Sequence, residues 1–450
     1  MGHAANTLMA WQGKSDCYSV PFREVRDLQV AAMNERLEER IDRIKLIGLR
    51  ARDMGIAKIE RFEDVAGLLL PHTAYKSYPE SFLVDEKWDK LTKWLGTVSA
   101  YPTDNVDLEG IRDVDHWVER LEQAGHYVSC SSGTTGKSAM LVASKADMDW
   151  TGWDSVHACA WGTGLAPSHD RYSFQMAPVA AVPRNISISD HMHAEFGKPG
   201  TERFRYPVPP ITVGSITRMI ALRKAIAAGT AQPSQIAEYE ETSAAREKAL
   251  ADAVGIIVDA LLAVRTEKLY LTGLWGNLYR VAAAVRERGF SGKDFHPENL
   301  MYVGGGLKRE LLPDDYREFV FETFNVKDGR NFQIYGMQEI GSVLARCHEG
   351  GRYHAPPWVV LLPLDKAGDN LLPGVGEGPV TGRAAFFDLS LDGRWGGVIS
   401  GDRVEIDWSP CACGATSPSV ADTIVRYADL EGDDKIGCAG TIDAYVRGMS

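Results

Sequence analysis

The chain has 450 residues, 44% of them hydrophobic and 24% charged, and a formal net charge of −12. Such a composition can bury a large core and allows two or three compact units. It excludes non-specific nucleic-acid binding as a leading function, because phosphate contacts need clustered Lys and Arg. The acidity reads as solubility.

No apolar run is long enough to span a bilayer. The opening MGHAANTLMAWQGKSD has no basic stretch followed by an apolar one, so it does not read as a signal peptide. Asn6 breaks the myristoylation pattern after Gly2. Seven cysteines, an odd and sparse set, fit a reducing cytoplasm with thiol or metal chemistry better than a disulfide framework.

In chain order, residues 24–55 carry Glu, Arg, Leu and Ile at helical spacing without proline, and the Pro and Tyr cluster at 72–79 interrupts the pattern. From about residue 126 the texture becomes strand, glycine loop, helix. HYVSC (126–130) reads as a short strand, and SSGTTGKSAM (131–140) as the loop after it. A long helix follows over 232–265, then the strand KLYLTG (268–273). The next helix aligns Leu274, Leu278, Val281 and Val285 on one face. ENLMYVGGG (298–306) and FNVKDGRNFQIYGMQEIG (324–341) repeat the strand-then-glycine pattern. Beyond about 355 the chain is rich in Gly, Pro and β-branched residues, which predicts a small strand-rich subdomain. The alternation predicts an α/β fold with a mostly parallel sheet flanked by helices.

Ser131, Ser132, Gly133, Thr134, Thr135, Gly136, Lys137 and Ser138 form a dense phosphate-loop candidate. Small residues let backbone N–H groups approach phosphate oxygens, hydroxyls add donors, and the lysine adds charge. A Walker A loop requires glycine where Ser131 stands, so that reading fails. The string SSGTTGK closely resembles the Ser/Thr/Gly-rich loop of adenylate-forming enzymes, which binds the β- and γ-phosphates of ATP as pyrophosphate leaves.

Further segments match that superfamily in order. Gly304, Gly305 and Gly306, followed by Leu307 and Lys308, resemble the small-residue turn that lies along the adenine. Tyr335, Gly336, Met337, Gln338 and Glu339 resemble the motif whose aromatic ring stacks on adenine and whose carboxylate holds Mg²⁺. Asp402, in SGDRVEID, matches the aspartate that hydrogen-bonds the ribose, and Arg426 lies where the superfamily has a hinge arginine. The resemblance covers roughly residues 125–440. It is strongest to the branch of phenylacetate–CoA ligases and acyl-protein synthetases: GGGLK is similar to the acyl-protein synthetase of bacterial bioluminescence, and CACG (411–414) to the ligase group.

The resemblance implies activation of a small carboxylic acid by ATP and Mg²⁺ as an acyl adenylate. It places a helical part of the core at 1–125, the ATP-binding core at 126–425 and a short stub at 426–450, too short for the mobile C-terminal domain and its lysine. Thr134, Lys137 and Glu339 are then the catalytic set. Cys438, between Gly437 and Ala439, is similarly placed to the cysteine on which acyl-protein synthetases carry the acyl group to a reductase, and an acyl-accepting protein is the partner expected. Ligation to coenzyme A is the alternative acceptor. A non-catalytic nucleotide-binding module is the reading from another class; intact Thr134, Lys137, Glu339 and Asp402 argue against it.

Cys347, His354, Cys411 and Cys413 offer a Cys₃His zinc site of structural type, with C-x6-H and C-x-C spacing and His348 as an alternative ligand. On the substrate side, Trp150, Trp153, Trp161 and Phe174 are candidate pocket aromatics, and His191 and His193 candidate polar groups near the carboxylate.

Overall fold

The computed structural model describes residues 2–130, 137–178, 180–305, 307, 311–431 and 436. The predicted Ser131, Ser132, Gly133, Thr134, Thr135, Gly136, Gly306 and Cys438 lie outside these residues. The chain divides into two units, one formed by residues 1–157 and 336–450 and the other by 158–335.

The first unit begins helically, as expected, but the 24–55 stretch is two helices, Phe22–Arg40 and Lys45–Met54. Buried polar atoms fix the first of these helices. Arg36 and Gln29, both buried, donate to the carbonyls of Leu389 and Pro357, and Arg40 pairs with Asp392 at 3.1 Å. Three short strands follow, β1 (Leu70–Pro71), β2 (Tyr127–Cys130) and β3 (Met140–Ala143). β2 and β3 pair antiparallel, with Cys130 opposite Met140. A strand begins at Met140, where the sequence texture pointed to a helix. Met-Leu-Val-Ala is a fully buried apolar run, and periodicity cannot separate helix from strand over four such residues. The helix comes next, at Lys145–Thr163.

The second unit holds four parallel strands: β4 (Tyr172–Gln175), β5 (Leu269–Gly273), β6 (Leu300–Val303) and β7 (Asn331–Tyr335). They lie side by side in chain order, with Tyr172 opposite Leu269, Tyr270 opposite Leu300 and Met301 opposite Asn331. Sheets of this kind are covered on both faces, which is why the central strands β5 and β6 read as apolar runs, while β4 and β7 mix apolar and polar residues. The helix Trp275–Glu287 buries Leu278, Val281 and Val285 of the expected face, while Leu274, the fourth residue expected there, is its half-buried N-cap. The 31-residue helix Pro233–Ala263 buries Ala253, Ile257, Val258 and Leu261 of its last turns.

After β7 the chain re-enters the first unit and becomes strand-rich: β8 (Leu344–Arg346), β9 (Tyr353–His354), β10 (Val359–Leu364), β11 (Val380–Asp388), β12 (Gly397–Asp407), β13 (Ser419–Val420) and β14 (Val425–Arg426). β10, β11 and β12 form an antiparallel meander. β12 is its hub, pairing also with β1, β13 and β14, while β9 bridges β13 and β8. Trp358, Phe386, Phe387 and Trp395 fill the core beside these strands. Among the described residues no helix is long and apolar enough to cross a membrane.

Candidate functional site

The most complete constellation is built by two turns of the first unit. The turn between β8 and β9 carries Cys347 and ends on His354, and the Cys-Ala-Cys-Gly turn before β13 carries Cys411 and Cys413. The four ligand atoms lie within 4.8 Å of one another. Cys347 Sγ is 3.7 Å from Cys411 Sγ, and Cys413 Sγ is 3.6 Å from His354 Nε2. A tetrahedral zinc with bonds of about 2.3 Å to sulfur and 2.0–2.1 Å to nitrogen has S–S edges of about 3.8 Å and S–N edges of about 3.6 Å.

Local chemistry prepares this cluster. The Arg352 N–H donates to Cys347 Sγ at 3.4 Å. Burial pulls the His354 imidazole down to about 4, so its ring is neutral at ordinary pH, as a ligand must be. Ser417 Oγ sits 3.3 Å from its Nδ1, leaving Nε2 toward the thiols. Burial pushes the Cys413 thiol up to about 12; a bound cation would reverse that shift. Gly414, at φ +87°, allows the second turn, and Gly350 is required for room, since a Cβ there would collide with Cys411 Sγ. Sequence reading named the four candidate ligands but missed Gly350, because the residue it makes room for, Cys411, is distant in the chain. His348 is not part of the cluster.

A second group gathers beside β12. Asp402 lies opposite Arg426 across β12 and β14, and the two pair at 3.7 Å. Glu339 is 7% exposed. Lys76, from the turn His72–Lys76, lies close enough to feel both Glu339 and Arg426. Burial pulls the Lys76 ammonium below the ordinary lysine range; Glu339 opposes that shift and Arg426 adds to it. Sequence reading missed Lys76, which sits in the proline and tyrosine cluster with no motif around it.

Lys137, the last residue of the SSGTTGK string, donates to the Tyr78 carbonyl and lies 4.9 Å from the centre of the Tyr78 ring. Tyr78 is itself fixed, its hydroxyl donating to the Ser138 carbonyl at 2.8 Å and its ring packed edge-on against Trp94.

In the second unit, Gly304 and Gly305 leave the carboxyl end of β6, and Tyr335 ends the adjacent β7. Such carboxyl edges of parallel sheets are where ligands bind in open α/β folds. Gly305 has φ +89°, and the space beside Gly304 is open. Tyr335 is only 8% exposed, so most of its ring is covered. Of its neighbours in the motif, Gly336 is exposed and Met337 and Gln338 are half-buried.

A cleft of about 170 Å³ opens at the carboxyl end of β4, lined by Gln175, Ala180, Asn185, Ser189 and Tyr206 among others. A second, of about 440 Å³, lies toward the amino ends of β4 and β5.

The proposed substrate-side aromatics and histidines mostly have structural partners. Phe174 belongs to the core of the second unit and stacks on Phe204 at 5.2 Å. Trp150 donates to Ser342 Oγ and packs edge-on against Trp358. Trp153 stacks on His157, and Trp161 is half-buried. His191 bonds its own helix at the Ser187 carbonyl, and His193 Nδ1 is 2.9 Å from Ser173 Oγ.

No protein-family model matches the chain, and no curated protein matches it. Solved structures do. The 2-hydroxyisobutyryl-CoA ligase in its postadenylation state with R3-HIB-AMP is 12% identical, covering 92% of this chain and 70% of that one at a TM-score of 0.53. The same ligase with 2-HIB-AMP and CoA in the thioesterification state gives 12% identity, 91% and 70% coverage and a TM-score of 0.56. Its open conformation, also with 2-HIB-AMP and CoA, covers 92% of this chain and 77% of that one at 12% identity and a TM-score of 0.53. The chain has the fold of an adenylate-forming ligase.

Proposed function

We propose that this protein activates a small carboxylic acid with ATP and passes the acyl group to a thiol. In the first half-reaction a carboxylate oxygen attacks the α-phosphorus of ATP, the α–β anhydride bond breaks, and pyrophosphate leaves. In the second, a thiolate attacks the acyl carbon, and AMP departs with the former carboxylate oxygen. The observation that carries this reading is the shared fold with a ligase solved holding an acyl adenylate, joined to SSGTTGK, YGMQE and Asp402 in the matching order.

Each residue then has a role. The 131–137 loop, with Thr134 and Lys137, binds the departing pyrophosphate, where developing charge makes donors most effective. Asp402 holds the ribose, oriented by Arg426. Gly304, Gly305, Gly306 and the Tyr335–Gln338 stretch contact the adenine. Glu339 holds Mg²⁺, which when bound neutralises phosphate charge. Cys347, His354, Cys411 and Cys413 hold a structural Zn²⁺.

For the acceptor, we favour Cys438 as an acyl carrier serving a partner protein such as a reductase. Coenzyme A is the second reading, favoured by the CoA held in the structurally similar ligase. The test of the activation step is exchange of labelled pyrophosphate into ATP across a panel of fatty and aromatic acids. Exchange that depends on one class of acid supports the reading; none with any acid, in folded protein with Mg²⁺, contradicts it.

A further inference from the structure

Arg394 stands between β11 and β12, 3% exposed. Its Nη1 donates to the Val142 carbonyl of β3 at 2.9 Å. Its Nη2 donates to the carbonyls of Gln338 and Glu339 at 3.0 and 3.1 Å. One guanidinium therefore joins the strand that leaves the glycine loop to the backbone of the glutamate proposed to hold Mg²⁺. A lysine has no planar fork and could not span both with the same geometry.

The surrounding segment reinforces the join. Asp388, 1% exposed, accepts from the N–H groups of Gly341 and Ser342 at 2.9 and 2.8 Å. Asp154 accepts from the Val343 N–H at 2.8 Å, and the Thr151 hydroxyl donates to the Gly341 carbonyl at 2.6 Å. On the other side, Asp147 accepts from the N–H groups of Asp392, Gly393 and Ser144. Gly393 packs so closely on Ala143 and Ser144 that a Cβ would strike their backbone. Buried backbone groups need partners, but stability alone does not require one side chain to serve both a strand and a separate loop.

We infer that Arg394 is a positioning residue: it holds the exit strand of the phosphate loop and the Glu339 loop in one frame, so that the phosphate and Mg²⁺ contacts stay in register. This rests on the function proposed above. The test is Arg394→Lys, with Arg50→Lys as a control. Arg50 is a buried arginine that holds the Gly67 carbonyl, away from these loops. Pyrophosphate exchange is measured against Mg²⁺ concentration, alongside the denaturation midpoint of each protein.

Arg394→Lys should need roughly tenfold more Mg²⁺ for half-maximal exchange and turn over roughly tenfold to a hundredfold more slowly. The control should keep the wild-type Mg²⁺ dependence at a similar loss of stability. An unchanged Mg²⁺ requirement in Arg394→Lys, with activity lost only as stability is lost, would overturn the inference. Should that variant not fold, Asp388→Asn, which loosens the same loop at Gly341 and Ser342, carries the same two outcomes. Wild-type protein without any acid-dependent exchange would overturn the proposed function itself, a result distinct from either.

Discussion

Lys76 is a residue whose meaning comes entirely from its surroundings. Burial lowers its proton affinity, Glu339 raises it and Arg426 lowers it. If the Lys76 charge assists at the phosphates, activity falls as pH rises through its depressed pKa. Glu339→Gln removes the neighbour that holds that pKa up, so the alkaline limb of the exchange profile should move to lower pH. The same variant should weaken apparent Mg²⁺ affinity while keeping the fold. An alkaline limb and a metal dependence identical to wild type would detach Glu339 from the site. Lys137 is simpler. Lys137→Ala should lower exchange by roughly tenfold to a thousandfold, a loss of about 1.4–4 kcal/mol in transition-state stabilisation; wild-type exchange in that variant would remove the lysine from the mechanism.

At the scale of elements, the two cysteine turns make a prediction independent of activity. Metal analysis should find about one zinc per chain, lost on combined Cys411→Ser and Cys413→Ser. Gly350→Ala should release zinc with every ligand intact, because the new methyl group takes space held by Cys411 Sγ. Zinc retained after combined Cys411→Ser and Cys413→Ser, or fully stable protein without zinc, would show that the turns are not a metal centre; full zinc content in Gly350→Ala would show that Gly350 is not needed for room. Legibility differed among these elements for physical reasons. β5, β6 and β7 each end at or beside glycine, so they could be read locally, whereas β4, Tyr-Ser-Phe-Gln, mixes polar and apolar residues and has no glycine at its end. β3 was missed because four apolar residues carry no period, and its strand character is set by pairing with β2. Among the candidate site residues, the four proposed zinc ligands were legible by residue type, whereas Gly350, Lys76 and Arg394 matter only through contacts far away in sequence.

For the whole molecule, the remaining division is where the activated acyl group goes. The adenylate is a reactive mixed anhydride and needs a thiol at hand; a thiolate attacks, so transfer should quicken with pH through the thiol's ordinary value of about 8.5. Incubation with ATP and a labelled acid should leave a hydroxylamine-sensitive label on the protein, absent in Cys438→Ser while pyrophosphate exchange persists. Normal labelling of that variant would place the acyl group on another residue; with coenzyme A added, free acyl-CoA and no labelled protein would leave coenzyme A as the acceptor.

In the proposed reaction the acid's own oxygen attacks the α-phosphorus of ATP. That attack is tested most directly with an acid labelled with ¹⁸O in its carboxyl group, supplied with ATP, Mg²⁺ and a thiol acceptor, and with the nucleotide products read by mass spectrometry. The AMP should carry one ¹⁸O and the pyrophosphate none. Unlabelled AMP, or ADP with labelled phosphate, would contradict the proposed reaction.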